Sequence, residues 1–493
     1  MILLAYILIA LLALAVIGFG TTHRWMNGAC VAHAFLYIVL TLYILFFQQI
    51  PVASFLIGSQ YFFMDYFGLY EVLIAAVIFT CAAVYAGGYV ESLLVSGELE
   101  KGSLKLFYAS WAMLLLVLAL AFFCDNLALF WICAELTTIL SAMLVAILSA
   151  RENIDAAIKY IFIASASMLF SFVGLIFLFE TSRTILGTGT LNWTVLMQHA
   201  ASFPPEMLVA AFSLVFIGFA AKSGIFPFHT WLPEAHAKAP SAVSALLSAV
   251  LLNVGIYGIL RVYAIAHQTP AAAAIAPLLG LFGFFTVAIA AFSMLPQKNL
   301  KKLIAFSSIE NMGIILIGIA VSTPLAIFWV LFQIMAHSLT KASLFFSAGI
   351  LHRQYRSRLS TDAVDDIRDV FRLQPLAAWG IIIGGLAITG MPLFPIFFSK
   401  LFILLSVGTV SLPALFILLS LLFIAAAALG YFVITAFSRT TEPGTLSDIE
   451  PYQTPLTMKI PLIFLIGCII FLGIVFTHGE LSFLDRIVQE LRF

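Results

Sequence analysis

The 493-residue sequence has little charge: Asp, Glu, Lys and Arg make up 9% of it, while 63% is hydrophobic. An ordinary soluble domain carries roughly 25% charged residues, so this chain is too poor in polar surface to be one, and most of it is placed in lipid. It also lacks an excess of either sign. Basic and acidic residues balance at 23 each, so nothing in the composition would track a phosphate backbone, and nucleic acid is excluded as a partner. The five cysteines, Cys30, Cys81, Cys124, Cys133 and Cys468, form no Cys-x-x-Cys pair. That argues against a disulfide framework, a zinc site or an iron–sulfur cluster, and no metal or cofactor is expected. Long polar stretches are missing too; the longest connection runs from His352 to Gln374 and leaves no room for a soluble domain. Met1 to Gly18 has neither a positive leading region nor a small-residue cleavage site and reads as a first membrane span.

What the sequence does have is apolar runs. A helix needs about 20 mainly apolar residues to cross the hydrocarbon, and about fourteen runs qualify, starting near residues 1, 29, 68, 106, 126, 155, 206, 241, 273, 301, 324, 375, 411 and 455. The expected fold is an all-α polytopic membrane protein. Most lysines and arginines fall in alternate connections, among them Lys101, Arg151, Lys238, Lys301 and Arg353. The positive-inside rule then places both termini on the non-cytoplasmic side. Arg261 falls in a connection on that side.

Two spans carry interior prolines, the seventh at Pro227 and Pro233 and the twelfth at Pro392 and Pro395. Proline removes a backbone donor, and a broken helix at membrane depth persists only where protein or a water-filled cavity satisfies the freed groups. Two breaks five spans apart point to a duplicated unit, as in many secondary transporters. Aligning spans four to eight with nine to thirteen pairs Glu135 with Glu310 and Lys222 with Lys400, and more loosely Lys159 with Lys341.

Glu135, Lys222, Glu310, Lys341 and Lys400 lie inside spans, where a charge costs about 2.5–3.5 kcal/mol each on insertion scales. Structural ion pairs or snorkelling side chains are the plain alternative, but intramembrane charges are functional by default. A buried lysine beside a carboxylate can load and release a proton. His229, His236 and His337 supply stepping stones between such charges; His33 reads as lipid-facing. A metal held by His229 and His236 lacks an apparent third ligand. The last residues, from Glu480, put Leu481, Phe483, Leu484, Ile487, Val488 and Leu491 on one face and read as a short interfacial helix.

The segment Phe219-Ala-Ala-Lys-Ser-Gly-Ile-Phe-Pro-Phe-His-Thr-Trp-Leu-Pro-Glu-Ala-His resembles a signature of the antiporter-like subunits of respiratory complex I, Mrp sodium/proton antiporters and energy-converting nickel–iron hydrogenases. The likeness continues through Ile309-Glu-Asn-Met-Gly, His337-Ser-Leu-Thr-Lys, and Gly390-Met-Pro to Lys400, and with Phe130-Trp-Ile-Cys-Ala-Glu it covers roughly residues 70 to 435. The forms around Glu310 and His337 look most like the hydrogenase-4 and formate-hydrogenlyase branch.

The resemblance implies two inverted five-helix repeats with broken helices seven and twelve, and a hydrated charge chain along the membrane midplane. Glu135, Lys222 and Lys400 match the family's key glutamate, broken-helix lysine and terminal charged residue. Where many complex I subunits have a lysine in helix eight, this sequence has Asn253, which is expected to hold water rather than the proton. The proton relay expected is therefore Glu135, Lys222, His229, His236, Asn253, Glu310, His337, Lys341 and Lys400.

The implied domains are 1–105, three leading helices; 106–267, the first repeat; 268–440, the second; and 441–493, the last span and tail. The implied role is a proton-translocating subunit of a hydrogenase-type or NADH-dehydrogenase-type complex in a prokaryotic cytoplasmic membrane, with no catalytic or redox centre of its own. Its partners would be other membrane and soluble subunits, the lipid bilayer, and protons or sodium as the moving ion. The alternatives are a subunit of an Mrp-type sodium/proton antiporter, the membrane half of an inorganic-carbon uptake complex with a carbonic-anhydrase-like partner, and a purely structural role for the buried charges.

Overall fold

The structure, a computed structural model, describes residues 2–56, 59–148, 150–355, 367–438, 450–475 and 482–493. Its helices are α1 (Ile2–Phe19), α2 (His23–Phe47), α3 (Tyr66–Val95), α4 (Leu104–Phe123), α5 (Leu127–Val145), α6 (Arg151–Leu186), α7 (Trp193–Gln198), α8 (Pro205–Lys222), α9 (Trp231–Lys238), α10 (Ser241–Leu246), α11 (Leu252–His267), α12 (Ala272–Met294), α13 (Leu300–Val321), α14 (Pro324–Tyr355), α15 (Val370–Leu373), α16 (Pro375–Thr389), α17 (Pro395–Val410), α18 (Leu412–Phe437), α19 (Leu456–Val475) and α20 (Ser482–Glu490). Among the described residues, 13 helices are long and apolar enough to cross a membrane. The remaining expected span, the twelfth, is the pair α16 and α17, each too short to cross alone. The chain is thus a multi-pass, overwhelmingly helical membrane protein.

Both expected breaks are present. α8 stops at Lys222 and the chain resumes as α9 at Trp231; Pro233 lies in the first turn of α9, where a missing N–H costs nothing, and interrupts no helix. The carbonyls freed at the end of α8 find donors: Ile225 N–H reaches Ala220 O at 2.9 Å and the Trp231 indole N–H reaches Ala221 O at 3.0 Å. At the second break α16 ends on Gly390, at φ +83°, a conformation that a side chain would strain, and Pro395 opens α17. The eighth span holds a third irregularity, a π-helical segment at Leu247–Leu251 between α10 and α11.

The core of the bundle is built from spans that carry buried polar side chains, among them Asn253, Ser308 and Lys341. The most apolar stretch of Ser241–His267 is 100% buried and those of α13 and α14 are 83% buried, against 22% for α1 and 28% for α18. This follows from lipid being as apolar as leucine: helices with nothing polar to satisfy can face it, whereas helices bearing lysine, serine and asparagine must turn inward. α11 approaches α8 so closely at Gly255 that an added Cβ would collide with Phe219 O and Ser223 Oγ. The Lys222 end of α8 is thereby pinned against the buried span.

Four features depart from the sequence reading. A two-stranded antiparallel hairpin, β1 (Val52–Leu56) with β2 (Ser59–Met64), joins α2 to α3. Its Tyr61 carbonyl accepts from Asp125 N–H at 2.8 Å, closing the α4–α5 turn. Arg261 does not lie in a connection: it is buried in α11, 2.6 Å from Asp65, with its guanidinium over the rings of Trp193, Tyr257 and Phe67. His33 is not lipid-facing but buried, edge-on to the Tyr37 ring. α20 buries Leu484, Ile487, Val488 and Leu491 against the protein, and its Glu490 carboxylate accepts Tyr66 N–H at 3.0 Å at the start of α3. Protein rather than the bilayer surface takes up that apolar face; Glu480 and Leu481 lie outside the described residues, as do Arg356, Arg358 and Arg439.

A candidate proton relay

In the first half, α5 and α8 bring Ala134, Thr137 and Thr138 to the tip of Lys222. The buried ammonium donates to Ala134 O at 2.9 Å and to the Thr137 and Thr138 hydroxyls at 2.6 Å each. Glu135 of α5 is half-buried and accepts from Ser165 of α6 at 2.8 Å, while its Oε1 has no hydrogen-bond partner among the described residues. Among the described residues the two expected partners therefore do not form an ion pair.

The second half is closed where the first is open. Lys400, in the second turn of α17, lies 2.9 Å from Glu310 Oε1 of α13 and donates to Ile388 O at 3.0 Å, capping a carbonyl freed at the end of α16. Glu310 Oε2 accepts from the Asn311 amide at 2.6 Å, Gln333 donates to Asn311 Oδ1 at 2.6 Å, and Ser399 donates to Gln333. Lys341 of α14 is wholly buried and donates to Ile304 O at 2.7 Å and Ser307 Oγ at 2.5 Å, one turn before Glu310 on α13. A cavity of about 10 Å³ beside Glu310 and Lys400, lined also by Ser307 and Thr389, is at the lower limit for a single water. Lys159, loosely aligned with Lys341, behaves differently: it is half-exposed and pairs with Glu234 of α9 at 2.8 Å.

Between the halves lie the irregular eighth span and the histidines. Asn253 is fully buried, and its amide N–H group is turned to Glu71 Oε2 of α3 at 3.1 Å and to Ser338 Oγ of α14 at 3.3 Å. Ser248, inside the π segment, shares a hydrogen bond of 2.8 Å with Ser308 of α13. His236 stacks on the Phe345 ring, centroids 4.8 Å apart; His337 is buried on α14, one turn before Lys341. Among the described residues, neither nitrogen of either ring has a hydrogen-bond partner. His229 stands apart from them in the first break, packed near Phe226. No group of three His, Cys, Asp or Glu side chains that could hold a metal ion occurs among the described residues.

The sequence reading missed Glu71, Asn311 and Gln333. Glu71 sits six residues into α3 and looks like an interfacial charge at a helix start; nothing local reveals that it faces Asn253, 182 positions away. Asn311 and Gln333 are uncharged. Their signal was that each interrupts a long apolar run with an amide whose donors and acceptor must be satisfied.

The family model for the transmembrane region of NADH:quinone oxidoreductase and Mrp antiporter subunits matches residues 124–426. A hydrogenase-4 component F homolog of Methylacidiphilum infernorum (isolate V4) is 30% identical over 93% of this chain and 94% of its own length. An NAD(P)H-quinone oxidoreductase chain 4 of Synechococcus sp. (strain JA-3-3Ab) is 31% identical over 58% of this chain, which spans 53% of that longer relative. In fold, the chain resembles one from the membrane-bound sulfane sulfur reductase, an archaeal respiratory membrane complex, with a TM-score of 0.86 and 20% identity over 99% of this chain and 96% of the other. The matched region spans more than half of the sequence and contains every lysine and glutamate of the relay expected from the sequence, so the chain belongs to the NADH:quinone oxidoreductase/Mrp antiporter transmembrane family.

Proposed function

We propose that this chain moves protons through the membrane as one subunit of a larger energy-converting complex of the hydrogenase or quinone-oxidoreductase kind. The observation that carries the reading is the set of three buried lysines, Lys222, Lys341 and Lys400, each held by carbonyls, hydroxyls or a carboxylate inside the bundle. Burying three ammonium groups costs about 2.5–3.5 kcal/mol each on insertion scales, and apolar side chains would fill the same space without that cost. Protons enter at the Glu135 and Lys222 end, cross by Asn253, His236 and His337, and leave from Lys341 through the Glu310 and Lys400 pair. His229 lines the first break.

Two inverted units, residues 106–267 and 268–440, organise the path. In each, a lysine beside the break reaches the second helix of its unit: Lys222, just before its break, contacts α5, and Lys400, just after its break, contacts α13. The membrane is the prokaryotic cytoplasmic membrane, with both termini on the non-cytoplasmic side. Ion pairs support one common face for the basic connections, since Arg353 meets Glu98 at 3.1 Å and Lys238 meets Glu152. The partners are the membrane and soluble subunits of the complex. Membership of a family shared with Mrp antiporters makes sodium/proton exchange the second reading.

The test is to purify the complex from its own membrane, identify its subunits by mass, and follow the internal pH of sealed vesicles that contain it. The proton reading predicts a pH change in sodium-free buffer when the complex is driven. A response that needs sodium and is lost without it would replace this reading with the second.

A further inference from the structure

We propose that Glu71 is a proton-carrying residue of this path, taking up a proton and passing it on between the two halves where Asn253 cannot titrate. The inference rests on the proton-relay reading. Glu71 lies outside residues 124–426, the region that the family model matches, and α3 belongs to neither of the two units. Its carboxyl group is fully buried; Oε2 accepts from Asn253 Nδ2 at 3.1 Å, and Oε1 has no hydrogen-bond partner among the described residues.

A structural role would leave a different signature. Asp65, near the start of the same helix, is buried against Arg261 at 2.6 Å. Among the described residues Glu71 has no such cation, only a neutral amide at one oxygen. A buried carboxylate without a counter-charge is costly, so such groups neutralise by binding a proton, and an intramembrane acid in this state marks a proton pathway.

The surroundings connect it in both directions. Ser338, which shares the Asn253 amide, follows His337 on α14, and His337 precedes Lys341 by one helical turn. Towards the first half, the hydroxyl of Ser223, the neighbour of Lys222, donates to Leu252 O of α11, the residue before Asn253, at 2.9 Å. The π-helical segment ends two residues before Asn253, and its Ala249 carbonyl accepts from Ser338 at 2.5 Å; π turns inside helices are frequent at functional sites. The step is a plain proton exchange. A proton adds to Oε1 to give the neutral acid, the O–H bond then breaks towards the second half, and the carboxylate is restored.

Glu71→Gln keeps the size and the acceptor facing Asn253 but cannot titrate. In sealed vesicles with the intact complex, its flux is expected to fall by at least about 10²-fold, the lower end of what a positioned proton-transfer group contributes. Glu71→Asp is expected to keep part of the flux, and Asn253→Lys added to Glu71→Gln to recover part of it by restoring a titratable group. Infrared difference spectra of the driven wild-type complex should contain a carboxyl band that shifts in Glu71→Asp; an unshifted spectrum overturns the assignment even if Glu71→Gln fails to assemble. Full flux in Glu71→Gln alongside blocked flux in Lys222→Met overturns the role of Glu71 and leaves the relay standing. Full flux in both overturns the relay and the role of Glu71 together.

Discussion

Lys222→Met is expected to reduce proton flux by about 10²-fold or more while the complex still assembles, because it deletes a titratable group from the start of the proposed serial path. The assembly half of that expectation comes from the local hydrogen bonds. The Thr137 hydroxyl already donates to Ala134 O at 2.7 Å and that of Thr138 to the same carbonyl at 3.4 Å. Removing the ammonium therefore leaves no donor orphaned. The check is flux in vesicles alongside subunit content by mass. Unchanged flux in a fully assembled Lys222→Met complex would remove Lys222 from the path.

Lys400→Met is expected to differ, losing stability as well as flux. Lys400 is the cation paired with Glu310, and both side chains are nearly inaccessible, at 6% and 3%. Breaking a buried pair by removing one partner costs about 3–5 kcal/mol because the other charge stays behind uncompensated. The Asn311 amide at 2.6 Å offsets a part of that. The double variant Lys400→Met with Glu310→Gln should regain most of the lost stability and none of the flux, since no charge is stranded but no titratable group remains. Thermal unfolding of the purified complex, followed by fluorescence, gives the comparison. If Lys400→Met melts with the wild type, the pair is not what holds α17 to α13.

The helices and their breaks were legible in the sequence because their causes are local. An apolar run of sufficient length needs nothing distant to make it a span, and Pro227 and Pro395 interrupt hydrogen bonding wherever the chain goes. The buried lysines were legible because their cost in lipid is a property of the residue and its place in the run. Partnership was not local. Glu135 was assigned to Lys222, yet its carboxylate accepts from Ser165 of α6, a partner 30 positions away. Arg261 looked like a connection residue because it is charged and lies near a span's end; Asp65, 196 positions away, and three aromatic rings make its burial possible. Glu71 became visible as a site residue only once α3 and α11 were seen side by side.

The central claim is that one path runs in series through both halves, and non-additivity tests it most directly. Proton flux would be measured in sealed vesicles containing the assembled complex with Lys222→Met, with Lys400→Met, and with both together. A series path predicts that the double variant conducts no less than the more impaired single variant, since a line already cut loses nothing from a second cut. Two singles that each keep a substantial flux, combined with a double that has none, would show two independent routes and contradict the account.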